Sequence, residues 1–330
     1  MATKFSGSKK KRSLRNTVSL LLVLLLIAGI NYFMGDPLGM FPEEAPANKP
    51  IFTAAGETTR PPAISSGFAS QEGTLEAYIL DVGQGDSIFL RSPSGKTMLV
   101  DASTSSAFDH IDAFLQEQSV EKLDVVIATH PHADHIGGMT KVIEQYEIGT
   151  FYMTDAQTNT AGFEKMLTAL QKKNITVKQA VAGKNSFVTW DDAVEVAILS
   201  PFSEFTYDDL NNSSIICRIK FGDTAIMLTG DAEAYAEKIA LGELSRDYFK
   251  ADVLKLGHHG SSSSTCAAFL EAVDPDIAIA SLGADNDYGH PHEETLAALK
   301  EAGIPLYRTD ESGDIHVLLD GSKVSVETTK

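Results

Sequence analysis

Five apolar or β-branched residues, Val125-Val126-Ile127-Ala128-Thr129, run directly into His130-Pro131-His132-Ala133-Asp134-His135, with Gly137 and Gly138 just beyond. A short apolar run of this composition reads as a buried strand, so four imidazole or carboxylate groups emerge together at its carboxyl end. His130 and His132 are two residues apart and point the same way in extended chain. They can grip one cation, while Asp134 and His135, past the turn, can face a second. Imidazole nitrogen and carboxylate oxygen are natural donors for zinc or manganese. A lone histidine at a strand end is ordinarily structural. Three histidines and an aspartate within six residues suit neither a core nor a solvated face. The fold must therefore carry a buried strand that opens onto a polar site.

The surrounding pattern supports such a fold. From Thr74 onward short apolar segments read as strands, at 75–80, 87–90, 98–100, 125–129, 150–153 and 194–200, then at 215–221, 225–228, 253–256, 277–280, 305–308 and 315–319. Helical spacing of apolar residues falls at 107–118, 160–172, 232–244 and 293–302. Gly83-Gln84-Gly85-Asp86 and Ser94-Gly95 are turn signals, so the opening strands are expected to pair as antiparallel meanders. Helices arrive later, between strands. That order fits an α/β architecture of two mixed sheets packed together with helices outside.

The His130–His135 segment resembles the HxHxDH signature of the metallo-β-lactamase superfamily. The resemblance extends to Asp101 at the end of an earlier strand, to Asp231 in Leu228-Thr229-Gly230-Asp231, and to His258 in Leu256-Gly257-His258. It implies a metallo-β-lactamase αββα sandwich over 74–330. It also implies two divalent metal ions, zinc or manganese, held by His130, His132, Asp134, His135, Asp231 and His258. Asp231 would bridge the ions, and Asp134, His135 and His258 would complete the second site. Leu80-Asp81-Val82-Gly83-Gln84-Gly85-Asp86-Ser87, His258-His259-Gly260-Ser261 and Tyr288-Gly289-His290-Pro291-His292 narrow the likeness. They resemble the hydrolase-like domain of ComEC-type competence DNA-uptake channels.

One departure concerns the first site. The superfamily usually has a histidine between HxHxDH and the bridging aspartate, and none lies between His135 and Asp231. The corresponding stretch is Asn211-Asn212-Ser213-Ser214. An oxygen from Asn211 or Asn212, or water, would complete the site and favour manganese. Alternatively the segment simply makes a turn, as Asn and Ser do. Other residues admit bland readings. Asp81 and Asp86 either line the rim or belong to a Gly-rich turn. Ser261–Ser264 reads first as a helix cap. His110 and His316 read as structural or surface residues.

The resemblance implies metal-dependent hydrolysis. Ions bridged by Asp231 lower the pKa of a shared water toward neutrality, Asp134 ligates and orients, and His290 or His292 supplies a proton to the leaving oxygen. The ComEC-type likeness favours a phosphodiester-type substrate, whether nucleic acid or an anionic cell-wall polymer. The alternatives are a non-catalytic metal-binding protein of the same fold and a cell-wall phosphoester hydrolase. No module for reading nucleic-acid sequence is visible. Cys217 and Cys266, the two cysteines, form no disulfide framework.

Charge and hydropathy divide the chain into segments at 1–34, 35–73 and 74–330. Lys4, Lys9, Lys10, Lys11, Arg12 and Arg15 precede the apolar run 18–33. None of the 45 acidic residues does, so the remainder of the chain is strongly acidic. With Asn16, Thr17 and Met34 the run approaches the ~20 residues of a membrane-spanning helix. Its basic flank places the N-terminus in the cytoplasm and the catalytic domain outside. A cleaved signal peptide shares these features, but no clear A-x-A site follows, which favours a retained single anchor. Six prolines, half of the 12, lie between Gly35 and Ser70, as in an extended tether. In intact cells a protease that cannot cross the membrane is expected to digest the 74–330 domain or sever the tether. Protection until lysis would contradict this orientation.

Overall fold

In the first part of the chain, sheet direction follows the turn signals. β1 (Leu75–Ile79), β2 (Ile88–Arg91) and β3 (Thr97–Val100) form an antiparallel meander. α1 (Phe108–Glu117) then crosses to β4 (Lys122–Ala128), which lies parallel to β3. Two short helices, α2 (Ala133–Ile136) and α3 (Met139–Gln145), lead to β5 (Glu147–Met153), and α4 (Ala161–Lys173) leads to β6 (Thr176–Gln179). β4, β5 and β6 continue in parallel. The computed structural model describes residues 73–184 and 186–330. The anchor expected at 18–33 and the tether up to residue 72 lie outside the described residues. Among the described residues no helix is long and apolar enough to cross a membrane.

The second part follows the same plan. β7 (Val194–Ser200), β8 (Ile216–Phe221) and β9 (Thr224–Leu228) pair antiparallel. Next come α5 (Ala234–Glu243), β10 (Val253–Lys255), α6 (Ala267–Val273), β11 (Ile277–Ala280), α7 (Glu293–Ala302) and β12 (Leu306–Arg308). Strands β9 to β12 run parallel. After α8 (Thr309–Ser312), β13 (Ile315–Leu319) and β14 (Val324–Thr328) return to the first sheet beside β1. The orders are β14-β13-β1-β2-β3-β4-β5-β6 and β12-β11-β10-β9-β8-β7. This is the α/β metallo-β-lactamase fold with two mixed sheets.

Side-chain alternation explains the layers. Met98, Val100, Val125 and Ile127 enter the core shared with the second sheet, where they join Ile198, Ile219, Ile226 and Leu254. Their neighbours Leu99, Val126, Ala128 and Phe151 face the opposite way, into a second core with Ile111, Val142, Phe163 and Met166 of the helices. β4 is buried on both faces, so it reads as an unbroken apolar run. The four long helices were legible because each buries one stripe. In α4 this is Phe163, Met166 and Leu170, and the Thr160 side chain accepts from the Phe163 N–H to cap the start. β6 and β14 escaped the sequence reading because they are largely half-buried or exposed edge strands without an apolar run.

The carboxyl ends of β3 and β4 in one sheet meet those of β9, β10 and β11 in the other. The loop between β1 and β2 closes onto this junction. Asp86 N–H donates to the Asp134 carbonyl at 3.2 Å, and Ser103 N–H to the Asp86 carbonyl at 2.8 Å. Gly85, at φ +121°, permits the approach, since a Cβ there would lie 2.2 Å from the Asp134 carbonyl oxygen. Gly95 also has positive φ, +86°, but faces open space. Both Gly→Ala changes strain the backbone by about 1–3 kcal/mol. Gly85→Ala is expected to cost distinctly more in denaturant unfolding than Gly95→Ala; equal costs would contradict this close approach.

Candidate metal centre

Asp231 follows β9 and is 2% exposed. Gly230 lets it turn inward, at φ +51° and tight against Thr129 and Ser214. Each oxygen of its carboxylate faces two imidazoles. Oδ1 lies 3.2 Å from His135 Nε2 and 3.6 Å from His259 Nε2. Oδ2 lies 3.8 Å from both His130 Nε2 and His258 Nε2. His130 Nε2 is 3.0 Å from His132 Nδ1, and Asp134 Oδ2 is 3.5 Å from His259 Nε2. Two donor sets result, each within 4.8 Å: Asp134, His135, Asp231 and His259, and His130, His132 and Asp231.

Carboxylates behind the imidazoles orient them. Asp101 has φ +58° and is fully buried. It accepts from Thr129 N–H at 2.8 Å, from Thr129 Oγ1 at 2.6 Å, and from His135 Nδ1 at 2.7 Å. His135 Nε2 is thereby turned to the cluster, the usual arrangement behind a ligating histidine. His259 Nδ1 donates to the Ser281 carbonyl at 2.8 Å and lies 3.5 Å from Asp86 Oδ1. Asp86 in turn meets Lys255 Nζ at 2.9 Å, a pair 2% and 0% exposed in its side chains. A buried ammonium needs such a partner.

Charge balance matches these contacts. Burial lowers the His135 pKa, but Asp231 and Asp101 override it and hold it well above the ordinary value. Burial also opposes protonation of His259, and Asp231, Asp134 and Asp86 raise it to about 9. His130 goes the other way, depressed by burial and by its neighbour His135. Burial would raise Asp231, yet His135 and His259 hold it well below the carboxylate range. The acidic cluster thus draws positive charge toward itself.

Buried polar atoms almost always find a partner. Among the described residues His135 Nε2, His259 Nε2 and Asp231 Oδ1 have no hydrogen-bond partner, and the two nitrogens face that oxygen at 3.2 and 3.6 Å. Such converging orphan donors fit a divalent cation. Asp231 and His259 open onto a pocket of about 330 Å³ lined also by Gln84, His132, Asp134, Asn211, Tyr288 and His290.

The structure brings together His130, His132, Asp134, His135 and Asp231 as the sequence reading grouped them. It turns His259, and not His258, toward Asp134 and His135. His290 lines the pocket with an Nδ1 that has no partner among the described residues, and burial and the surrounding histidines lower its pKa to about 4. His292, named with it as a proton donor, has neither nitrogen free. Nδ1 accepts from Ser262 N–H at 2.9 Å and Nε2 faces the Tyr288 carbonyl at 3.1 Å. Asn212 is also occupied elsewhere, donating to Glu233 and accepting from Ala236 N–H. Asn211 borders the pocket. The Asp86–Lys255 pair was missed, although a lone lysine inside the apolar run of β10 signals a buried partner.

The family model for the metallo-beta-lactamase superfamily matches residues 80–284. ComE operon protein 3 of Bacillus subtilis is 29% identical over 263 residues, 74% of this chain and 33% of that protein. Competence protein ComA of Neisseria gonorrhoeae is 28% identical over 294 residues, 89% of this chain and 38% of that protein. The chain spans about a third of the length of these relatives. Among solved structures, the metallo-beta-lactamase fold protein YhfI of Bacillus subtilis aligns with a TM-score of 0.47 at 13% identity, covering 77% of this chain and 100% of that one.

Lys255→Met is expected to destabilise the domain by about 3–5 kcal/mol, because the Asp86 charge stays buried without its partner. Adding Asp86→Asn should restore much of the loss in denaturant unfolding. A Lys255→Met variant as stable as the wild type would contradict a buried ion pair.

Proposed function

The chain belongs to the metallo-β-lactamase superfamily and is a metal-dependent hydrolase of that fold, and from this premise we propose that its substrate is a phosphodiester. The observation that carries metal-dependent hydrolysis is the Asp231 carboxylate with imidazoles on both oxygens, an arrangement suited to two divalent ions, zinc or manganese. His130, His132 and Asp231 would hold one, and Asp134, His135, His259 and Asp231 would hold the other. When bound, such ions supply an acidified water and positive charge opposite a developing oxyanion.

The chain's own residues do the rest. Asp134 combines ligation with orientation of the attacking water, since its carboxylate borders the pocket and reaches His259. His290 offers an N–H to the leaving oxygen. With its pKa near 4 it is neutral at pH 7, so it donates a hydrogen bond more readily than a proton. Asp101 and Asp86 hold the imidazoles of His135 and His259 in place. Tyr288 stacks on His290, with ring centroids 5.6 Å apart, and lines one wall.

The phosphodiester reading draws on the competence names of the relatives and on the ComEC-like motifs. The basic cluster and apolar run before residue 34 support an extracytoplasmic domain on one membrane anchor. Nucleic acid and anionic cell-wall polymers are the polymeric phosphodiesters such a domain would meet. Asp134→Ala and Asp231→Ala are expected to reduce turnover of a model phosphodiester by orders of magnitude. His290→Ala should cost about 10²-fold, and less with a leaving group that needs no assistance. Activity that survives both a chelator and Asp231→Ala would contradict the site. A wild type loaded with metal but inert toward phosphodiesters would favour a binding protein.

A further inference from the structure

The histidine that the superfamily pattern places between His135 and Asp231 is missing from this sequence. We propose that His258 takes its place: the consecutive histidines His258 and His259 serve different metal ions, and Glu233 orients His258. His258 then joins His130 and His132 on Asp231 Oδ2, while His259 joins Asp134 and His135 on Oδ1. This rests on the two-ion reading above and completes its first site.

The backbone separates the two rings. His258 and His259 both have positive φ, +47° and +56°, a conformation that costs about 1–3 kcal/mol per residue unless its surroundings enforce it. The rings lie 6.1 Å apart with planes at 65°. Their Nε2 atoms reach different oxygens of one carboxylate, His258 to Oδ2 at 3.8 Å and His259 to Oδ1 at 3.6 Å. His130 Nε2 lies at the same 3.8 Å from Oδ2 as His258 Nε2 does.

The outer contacts repeat the pattern seen behind His135 and His259. His258 Nδ1 is 3.3 Å from Glu233 Oε1, as His135 Nδ1 is 2.7 Å from Asp101 and His259 Nδ1 is 3.5 Å from Asp86. A carboxylate beside Nδ1 orients the ring so that Nε2 faces Asp231. Glu233 is itself held by Ser263 Oγ at 2.9 Å and Asn212 Nδ2 at 3.2 Å. Asn212 stands in the stretch that replaces the usual histidine, and it acts one step removed by fixing the carboxylate behind His258. Asn211 lies on the Nδ1 edge of the same ring, 3.4 Å away. The His258 side chain is 25% exposed, against 0% for that of His130 on the same Asp231 oxygen.

The test counts ions. The wild-type chain, His258→Gln, Glu233→Ala and Asn211→Ala are equilibrated with buffered Mn²⁺ or Zn²⁺, and bound metal is measured per chain. Two ions are expected for wild type and for Asn211→Ala, and one for His258→Gln. Glu233→Ala should weaken one binding step by about 10–100-fold and spare the other. Wild-type affinity at both steps in His258→Gln would overturn the proposal, as would loss of an ion in Asn211→Ala. If His258→Gln fails to fold, Glu233→Ala decides, and unchanged affinity at both steps overturns it. The count is independent of turnover. A chain that binds two ions in this pattern yet cleaves no ester defeats the phosphodiesterase reading alone. A wild type that takes up one ion and still hydrolyses defeats this proposal together with the two-ion reading, and leaves metal-dependent hydrolysis standing.

Discussion

A carboxylate buried as completely as that of Asp231 is tolerated only when positive charge or strong donors surround it. Its two oxygens face four imidazoles, and the rest of the site radiates from that requirement. Imidazoles gathered around a carboxylate must themselves be aimed. Asp101 aims His135 through a 2.7 Å hydrogen bond, and Ser281 and Asp86 fix His259. Asp86 then needs a counter-charge of its own, which Lys255 provides from inside a strand. Each layer of charge creates the need for the next, so polar residues penetrate an otherwise apolar core as far as β10.

The fold meets this demand through the direction of its strands. Each sheet begins as an antiparallel meander and continues as parallel strands. The carboxyl ends of both parallel halves share one edge, as expected for ligand crevices in open α/β sheets. Residues that are far apart in sequence arrive there together: Asp86, Asp101, the 130–135 segment, Asp231 and the His258-His259 pair. Three of them, Asp101, His258 and His259, occupy left-handed backbone. Strain of this kind persists where surrounding structure over-determines it and tends to gather at functional sites.

What could be read from the sequence depended on distance along the chain. His130, His132, Asp134 and His135 announce themselves because they sit within one turn at the end of one strand. The long helices and the buried strands announce themselves by periodicity. Asp231 and the His258 region became legible only through resemblance to a superfamily pattern, and resemblance did not distinguish His258 from His259. That choice is made by two successive residues with positive φ, a feature that composition does not encode. Asp86 looked like an ordinary turn residue, because its partners lie far along the chain, at Lys255 and His259. His292 looked like a companion of His290, but packing of the Ser262 and Tyr288 backbone claims both its nitrogens.

Under the proposed function Asp231 bridges two cations, one beside each carboxylate oxygen. The most direct measurement is a crystal structure of the domain grown with Mn²⁺, with anomalous difference maps collected at the manganese edge. Two peaks are predicted, one beside each oxygen of Asp231, with His135 and His259 around one and His130 and His132 around the other. A single peak, or peaks remote from Asp231, would contradict the account.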